Sequence, residues 1–144
     1  MTTEIRFLLY HKQSISARTL FLKFAGGSVL APAPLPFLSS PVDPEQHPES
    51  DFDGQLHPAT LAKELADGLG LPASLFAIDP DFRERIETPR GEAQAYLAGF
   101  TGMDPPRELA AGIGASFQPI TELRGGHPVE MDLLRKAYEH LLGG

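Results

Sequence analysis

The sequence feature that most constrains the fold is a bounded amphipathic helix at residues 58–70. Pro58 suits the first helical position, and Gly70 suits the stop at the C-terminal end. At about 100° per residue, one arc of this helix is apolar and the opposite arc is polar. The apolar arc holds Leu61, Ala62, Leu65, Ala66 and Leu69, and the polar arc holds Thr60, Lys63, Glu64 and Asp67. The helix must therefore pack one face against another layer of structure.

A second bounded helix is predicted at residues 128–142. Pro128 stands at its start and Gly143 stands past its end. The residues that form its apolar stripe are Met131, Leu134, Tyr138, Leu141 and Leu142. This helix is expected to lie against a β-sheet. His57 and His127 each directly precede a helix-starting proline and are predicted to be turn residues.

Short apolar and aromatic runs predict the strands of that sheet. The runs lie at residues 5–10, 19–24, 28–30, 75–78, 82–87, 93–100 and 115–120. The turn Thr88-Pro89-Arg90-Gly91 joins two of these runs in a hairpin-like pair. At most one helical turn is expected near residues 107–111. Two helices and several strands indicate an α+β fold, formed by a single domain over residues 1–144.

Residues 31–52 are predicted to form a long Pro-rich loop. This stretch holds six of the fourteen prolines and ends in an acidic segment without apolar periodicity. A structureless connection of this length is either a disordered insertion or a functional loop. Both interpretations stay open. Leu35, Phe37 and Leu38 are unusually apolar for an exposed segment, and such residues would suit contact with a substrate or a protein partner.

Charge and composition exclude several classes of protein. Nineteen acidic residues and twelve Lys plus Arg give a formal net charge of −7, which disfavours general nucleic-acid binding. The chain contains no cysteine, which excludes disulfides and thiolate metal sites. Four prolines break the longest uncharged stretch, residues 25–42, so a membrane-spanning helix is not expected. The N-terminal residues lack a signal-peptide pattern, and a cytoplasmic location is expected.

Two carboxylates on the polar arc of the first helix are candidate metal ligands. Glu64 and Asp67 stand three residues apart, so their side chains lie on neighbouring turns of the helix. Oxygen ligands suit Mg²⁺, which one or two carboxylates can hold together with substrate phosphates. A Glu and an Asp on a solvated helix face are also common without any ligand, and this interpretation stays open.

The residues of this helix resemble the Nudix box of Nudix hydrolases. In the family, a glycine is followed after five residues by a glutamate, and after seven more by Arg-Glu-apolar-any-Glu-Glu-any-Gly-apolar. The corresponding tail here reads Lys63-Glu64-Leu65-Ala66-Asp67-Gly68-Leu69-Gly70-Leu71. Within it, Glu64, Leu65, Gly70 and Leu71 match the family pattern.

The sequence also departs from the Nudix box at several positions. Lys63 and Asp67 are conservative replacements, whereas Gly68 stands where the second glutamate of the pair belongs. Upstream, Gln55 takes the place of the isolated glutamate and Glu49 that of the opening glycine. A glycine supplies neither charge nor ligand, and glutamine supplies an oxygen without charge, so both changes weaken cation binding.

The likeness extends beyond the box, over residues 20–142. The turn at residues 88–91, the strand AQAYLAGF, the segment FQPITEL and the closing helix follow the order of elements in the second half of Nudix domains. The resemblance implies an α/β/α sandwich, in which a mixed sheet lies between the helices at 58–70 and 128–142. A generic α+β topology built from the same elements is the alternative.

The resemblance implies two functions of different class. In an active hydrolase that cleaves a nucleoside diphosphate derivative, Glu64 would be catalytic, Glu64 and Asp67 would hold Mg²⁺ or Mn²⁺, and Lys63 and Gln55 would bind ligand. In a catalytically impaired Nudix-like domain, the same fold would bind a small, possibly nucleotide-like ligand or a protein partner. The losses of charge at Gln55 and Gly68 favour the second function. A homodimer is also expected from the apolar loop and the resemblance.

Overall fold

The computed structural model describes residues 4–13, 18–42, 57–123 and 126–143. Within these ranges the chain forms seven strands and three α-helices. The strands are β1 (Glu4–Lys12), β2 (Thr19–Phe24), β3 (Leu30–Ala31), β4 (Ser40–Pro41), β5 (Phe76–Thr88), β6 (Gly91–Phe100) and β7 (Ala115–Gln118). The helices are α1 (Pro58–Leu69), α2 (Arg107–Gly112) and α3 (Pro128–Gly143).

The strands form one mixed sheet in the order β4-β5-β6-β1-β2-β7, and β3 pairs with β1. Strands β1 and β6 run parallel, and the other pairs in this sheet are antiparallel. The predicted α+β class with a mixed sheet is therefore confirmed. None of the helices in the described ranges is long and apolar enough to cross a membrane.

Alternation along the central strands divides the core into two layers. On β1, Phe7 and Leu9 point to one side of the sheet and Leu8 points to the other, as the period of two in a strand requires. Leu61 and Leu65 of α1 are buried with the first pair. Apolar residues of α3 are buried with Leu8 on the opposite side. The two predicted helices thus flank the sheet.

Both predicted helices begin at a histidine cap. The Nδ1 atom of His57 accepts a hydrogen bond from the backbone N–H of Ala59 at 3.1 Å. His127 caps α3 in the same way, because its Nδ1 accepts from the N–H of Val129 at 3.1 Å. At the other end of α1, Gly70 adopts φ 71°, a left-handed conformation that glycine accepts without strain. Both helices begin at the predicted proline, α1 ends at Leu69 with Gly70 as its cap, and α3 extends to Gly143, one residue beyond the predicted end.

The prediction of two separate strands at 75–78 and 82–87 is wrong, because both belong to β5. Between the two predicted runs lies Pro80, which cannot donate to a sheet ladder. Strand β4 pairs with β5 only at Glu87 and Ile86, so Pro80 stands away from that pairing. The predicted hairpin between this region and β6 is confirmed, with Thr88 opposite Gly91 at the turn.

The Pro-rich segment contains more structure than the sequence predicted. The short strand expected at residues 28–30 lies at Leu30–Ala31, and a further short strand, β4, lies within the predicted loop. Leu35 is buried at 5% exposure, whereas Phe37 and Leu38 are 85% and 75% exposed. The expectation of an exposed apolar segment therefore holds for two of the three residues. The last part of the predicted loop, residues 43–52, lies outside the described residues.

A buried carboxylate fixes the segment that leads into this loop. Glu130, in the first turn of α3, is 2% exposed. It accepts hydrogen bonds from the Ser28 hydroxyl at 2.8 Å, the Val29 N–H at 3.1 Å and the Leu35 N–H at 3.3 Å. Helix α3 thereby holds residues 28–35, including Pro32, which packs against α1.

Candidate functional site

The polar face of α1 carries the predicted metal ligands into solvent. Glu64 and Asp67 are both exposed. The Lys63 ammonium lies 3.3 Å from a carboxylate oxygen of Asp67, one turn away, and the two side chains are 76% and 70% exposed. An ion pair this exposed contributes little to stability. It does give the charge of Asp67 a partner on its own helix.

Gly68, which stands in the place of a family glutamate, packs against the segment held by Glu130. A Cβ atom at this position would lie 3.1 Å from the Cβ of Pro32, closer than ordinary van der Waals contact. A side chain here would require Pro32 to move by a few tenths of an ångström. Gly68 therefore marks a close approach between α1 and residues 28–35.

Gln55, the remaining member of the predicted site, lies outside the described residues. The acidic residues Glu49, Asp51 and Asp53, which precede α1 in the sequence, lie there too. In the described part of the chain, no three His, Asp or Glu side chains are grouped so as to hold a metal ion. On its described residues, α1 offers a cation two carboxylates, one of which binds a lysine. This set does not fit a complete metal centre.

A cavity lies beside the N-terminal end of α1, where β5 is irregular. Along β5, five positions separate Ile78 from Arg83, whereas only two separate their partners Ala98 and Tyr96 on β6. Strand β5 therefore bulges by three extra residues at this point. Bulges are common beside functional sites because they change the direction of side chains.

One local contact and two long-range contacts fix the bulge. One carboxylate oxygen of Asp79 accepts from the N–H of Asp81 at 2.8 Å, which closes a local turn around Pro80. The other oxygen lies 2.9 Å from Nε2 of His140, near the end of α3. The ring of His140 also contacts the ring of Phe82 edge-on, with centroids 5.6 Å apart. The bulge is thus held by a helix on the far side of the sheet.

The bulge pocket is a cavity of about 270 Å³ between this bulge and the start of α1. Its size is slightly below that of common small-molecule sites. One wall is formed by His57, Pro58 and Leu61, with Tyr96 of β6. The other is formed by Ile78, Asp79, Pro80, Phe82 and Arg83 of β5. A mainly apolar cavity with a few polar groups is the usual form of a ligand-binding site.

The polar groups beside the pocket form a short network on the face of the sheet that packs against α1. Tyr96 is 4% exposed and donates its hydroxyl to Oε1 of Gln94 at 2.7 Å. Gln94 is 2% exposed, and its Nε2 has no hydrogen-bond partner among the described residues. Arg83 stands directly opposite Tyr96, and Arg85 stands opposite Gln94. Hydrogen-bond donors therefore predominate among these four side chains of β5 and β6.

Tyr10 lies on the α3 side of this region, over Gly99. A Cβ at Gly99 would lie 2.8 Å from the Tyr10 ring, so glycine leaves the space that the ring fills. Burial raises the pKa of Tyr10 above 10.0, and the negative charge of Asp79 raises it further. The same carboxylate that fixes the bulge thus adds to the effect of burial in raising the pKa of Tyr10.

The raised pKa of Tyr10 predicts a loss of stability in alkaline solution. The unfolded chain releases this proton first, so the contribution of Tyr10 is complete below about pH 10 and is lost as the pH rises through the folded pKa. Tyr10→Phe should remove the part of the stability loss at high pH that comes from Tyr10. Urea unfolding of both proteins between about pH 8 and 11 measures it. Parallel pH curves for the two proteins would contradict the prediction.

The bulge pocket was not predicted from the sequence, although part of its geometry is encoded there. Counting back from the hairpin turn, where Thr88 pairs with Gly91, places Arg83 opposite Tyr96. The contact between Asp79 and His140 spans 61 positions and has no local sequence signal. The predicted residues Lys63, Glu64 and Asp67 do not line this pocket.

No protein-family model matches this chain, and a comparison with curated proteins finds no match.

Proposed function

We propose that this protein is a Nudix-like domain that binds a small ligand in the bulge pocket and does not hydrolyse a diphosphate. The order of helix, hairpin, short strand and closing helix supports the family resemblance. So does a mixed sheet with helices on both faces. Fold alone does not specify an activity, so the function depends on the two candidate sites, the polar face of α1 and the bulge pocket.

The observation that supports the proposal most strongly is the incomplete set of metal-ligand side chains on α1. A diphosphate hydrolase of this type needs carboxylates that hold divalent metal, because the metal neutralises phosphate charge and activates water. Glu64 and Asp67 are exposed, and Asp67 binds Lys63. At the position of the missing glutamate, Gly68 lies against Pro32. The helix retains its packing role while its ligand set is incomplete.

The bulge pocket supports ligand binding because its walls belong to a helix and to two strands of the sheet. Its walls come from the capped first turn of α1 and from β5 and β6. The bulge itself is fixed by hydrogen bonds to both oxygens of Asp79. Sites built on helices and strands hold their geometry better than sites on loops, so this pocket is preformed.

The test is a metal titration combined with an activity screen. Calorimetric titration with Mg²⁺ and Mn²⁺ should give no saturable binding at millimolar concentration, with or without a nucleoside diphosphate derivative. A panel of such derivatives should give no metal-dependent release of phosphate-containing products. Glu64→Gln should behave as the wild type does in both assays, because an exposed carboxylate without a bound metal has no catalytic duty.

Metal-dependent turnover that disappears in Glu64→Gln would overturn the proposal in favour of the hydrolase. Glu139→Gln is the matched control, since Glu139 is also an exposed helical glutamate and lies on α3. Turnover lost in both variants would instead point to a general effect of removing surface charge. Saturable metal binding that Asp67→Asn abolishes would also count against the proposal.

A further inference from the structure

We propose that the bulge pocket takes a neutral aromatic molecule that carries a carbonyl group, and that the imidazole of His57 donates a hydrogen bond to the carbonyl oxygen. This inference rests on the proposed ligand-binding function and adds the chemical class of the ligand. It follows from the way His57 caps α1, from the contacts that the charged side chains of the pocket already make, and from the apolar walls.

The cap of α1 determines which nitrogen of His57 carries the hydrogen. Nδ1 accepts from the backbone N–H of Ala59 at 3.1 Å, so in the neutral ring the hydrogen is on Nε2. His57 is exposed at the start of α1 and lines the bulge pocket. In the described part of the chain, its Nε2 has no hydrogen-bond partner. The pocket therefore presents an N–H donor that suits an acceptor on a ligand.

The second histidine cap shows what the same arrangement binds elsewhere in this protein. Nδ1 of His127 accepts from the N–H of Val129, so the hydrogen of its neutral ring is also on Nε2. This Nε2 lies 3.2 Å from the carbonyl oxygen of Pro36 and 3.0 Å from that of Phe37. The ring of Phe37 contacts the imidazole edge-on, with centroids 6.1 Å apart. A carbonyl beside an aromatic ring thus suits this form of capping histidine, and His57 offers the same donor to the bulge pocket.

The charged side chains that line the pocket, Asp79 and Arg83, already have interactions within the protein. Asp79 accepts from the N–H of Asp81 with one oxygen, and its other oxygen lies 2.9 Å from Nε2 of His140. Arg83 has an interaction partner as well. A charged ligand would lose hydration on entering the cavity and would compete with these contacts. A neutral ligand has neither disadvantage.

The rest of the cavity favours a compact aromatic body. Leu61, Ile78 and Phe82 contribute aliphatic and aromatic surface, and two prolines complete the walls. A volume of about 270 Å³ admits a single ring more readily than an extended chain. An aromatic amide or an aromatic ketone satisfies both the apolar walls and the N–H donor of His57.

The experiment follows amide signals of the full chain by NMR during titration with four probes. Benzamide carries the carbonyl on a ring, benzene lacks the carbonyl, benzoate is an anionic match and benzylamine a cationic one. Benzamide should bind with a Kd on the order of 1 mM and shift the signals of Leu61 and Phe82. Benzene should bind about fivefold more weakly, because it has no acceptor for the hydrogen bond. Both charged probes should bind about tenfold more weakly, because they lose hydration in the cavity.

The imidazole nitrogen signals of His57 report the contact directly. At about pH 8, above the ordinary titration range of histidine, they should show the hydrogen on Nε2. Benzamide should shift the Nε2 signal of His57 and leave that of His127 in place. Equal affinity for benzene and benzamide overturns the donor role of His57, and equal affinity for a charged probe overturns the choice of a neutral ligand. Absence of shifts with benzamide at about ten times the expected Kd also overturns the inference.

Two variants then assign the hydrogen bond. His57→Ser keeps an oxygen that can cap α1 and removes the imidazole, so benzamide binding should weaken by about fivefold while benzene binding stays unchanged. His127→Ser makes the same replacement at the cap of α3, outside the pocket, and should change neither. Thermal unfolding checks that each variant is folded. Equal losses of benzamide and benzene binding in His57→Ser, or equal losses of benzamide binding in both variants, would contradict the assignment.

The outcomes distinguish this inference from the proposed function. Benzene or benzoate that binds the pocket as tightly as benzamide contradicts only the inference, since the pocket still takes a small ligand. Metal-dependent turnover of a diphosphate with intact benzamide binding contradicts only the proposed lack of hydrolysis. Benzamide binding that persists in EDTA supports the site as described, whereas binding that requires Mg²⁺ overturns the role of His57.

Discussion

Replacing Glu130 with alanine is expected to lower the free energy of unfolding by about 3 kcal/mol. The side chain is 2% exposed and accepts hydrogen bonds from Ser28, Val29 and Leu35. The alanine variant leaves these donors without their acceptor, and a buried unpaired donor costs about 1 to 3 kcal/mol. Relief from burying a charge offsets part of this loss, so the net effect stays below the sum of the three contacts.

A pair of variants separates the charge of Glu130 from its geometry. Glu130→Gln keeps one acceptor oxygen and should lose roughly half as much stability as the alanine variant. Glu139→Ala, on the exposed face of the same helix, should change stability by less than about 0.5 kcal/mol. Urea unfolding of the three variants measures these differences. A loss below about 1 kcal/mol in Glu130→Ala would contradict the anchoring role.

Through its hydrogen bonds, Glu130 also links α3 to α1. Glu130 fixes residues 28–35, and Pro32 in this segment lies against Gly68. Hydrogen exchange in Glu130→Ala should therefore accelerate at Val29 and Leu35 more than in the central strands. The close contact between Pro32 and Gly68 is thus maintained from the opposite side of the sheet.

Local sequence patterns predicted the elements of this fold because their signals are local. Pro58 at the first turn and Gly70 at the end bound α1 within a few residues. Short apolar and aromatic runs predicted β1 and β2 for the same reason. The division of β5 into two strands was wrong, because β5 continues through Pro80, and whether a proline ends a strand depends on which neighbours that strand has.

The site could be predicted only in part, because its geometry depends on contacts between distant residues. Counting residues back from the hairpin turn pairs Arg83 with Tyr96, and this count needs only the sequence. The three-residue bulge and its anchor at His140 come from contacts between β5 and α3. Glu130 meets its partners across about a hundred positions, so neither its burial nor its role has a sequence motif.

Glu64 and Asp67 illustrate the opposite case, in which a sequence motif indicates more than the local structure supplies. Helical spacing places the two carboxylates on neighbouring turns, as predicted. Whether they form a site depends on what surrounds them, and on the described residues the surroundings are solvent, Lys63 and the close approach of Pro32 to Gly68. A spacing argument carries no information about those neighbours.

Replacing Leu65 with alanine should destabilise the protein by about 3 kcal/mol, whereas Glu64→Ala should change stability by less than about 0.5 kcal/mol. Leu65 is 0% exposed and packs with Phe7, Tyr96 and other residues of the α1 side of the sheet. Its truncation removes apolar contacts and leaves a cavity that the helix cannot collapse fully. Glu64 is the adjacent residue but lies on the exposed face. Urea unfolding of both variants gives the comparison.

The contrast between these neighbours tests whether the architecture of α1 is independent of its carboxylates. If Glu64→Ala destabilises the chain as much as Leu65→Ala does, the exposed carboxylate takes part in a stabilising contact, and α1 cannot be treated as a scaffold with an idle polar face. If only the leucine variant is destabilised, the apolar arc alone maintains the helix. Replacement of the exposed carboxylate then carries no cost in stability, and under the proposed function the fold can use the bulge pocket whichever side chains stand on the polar face of α1.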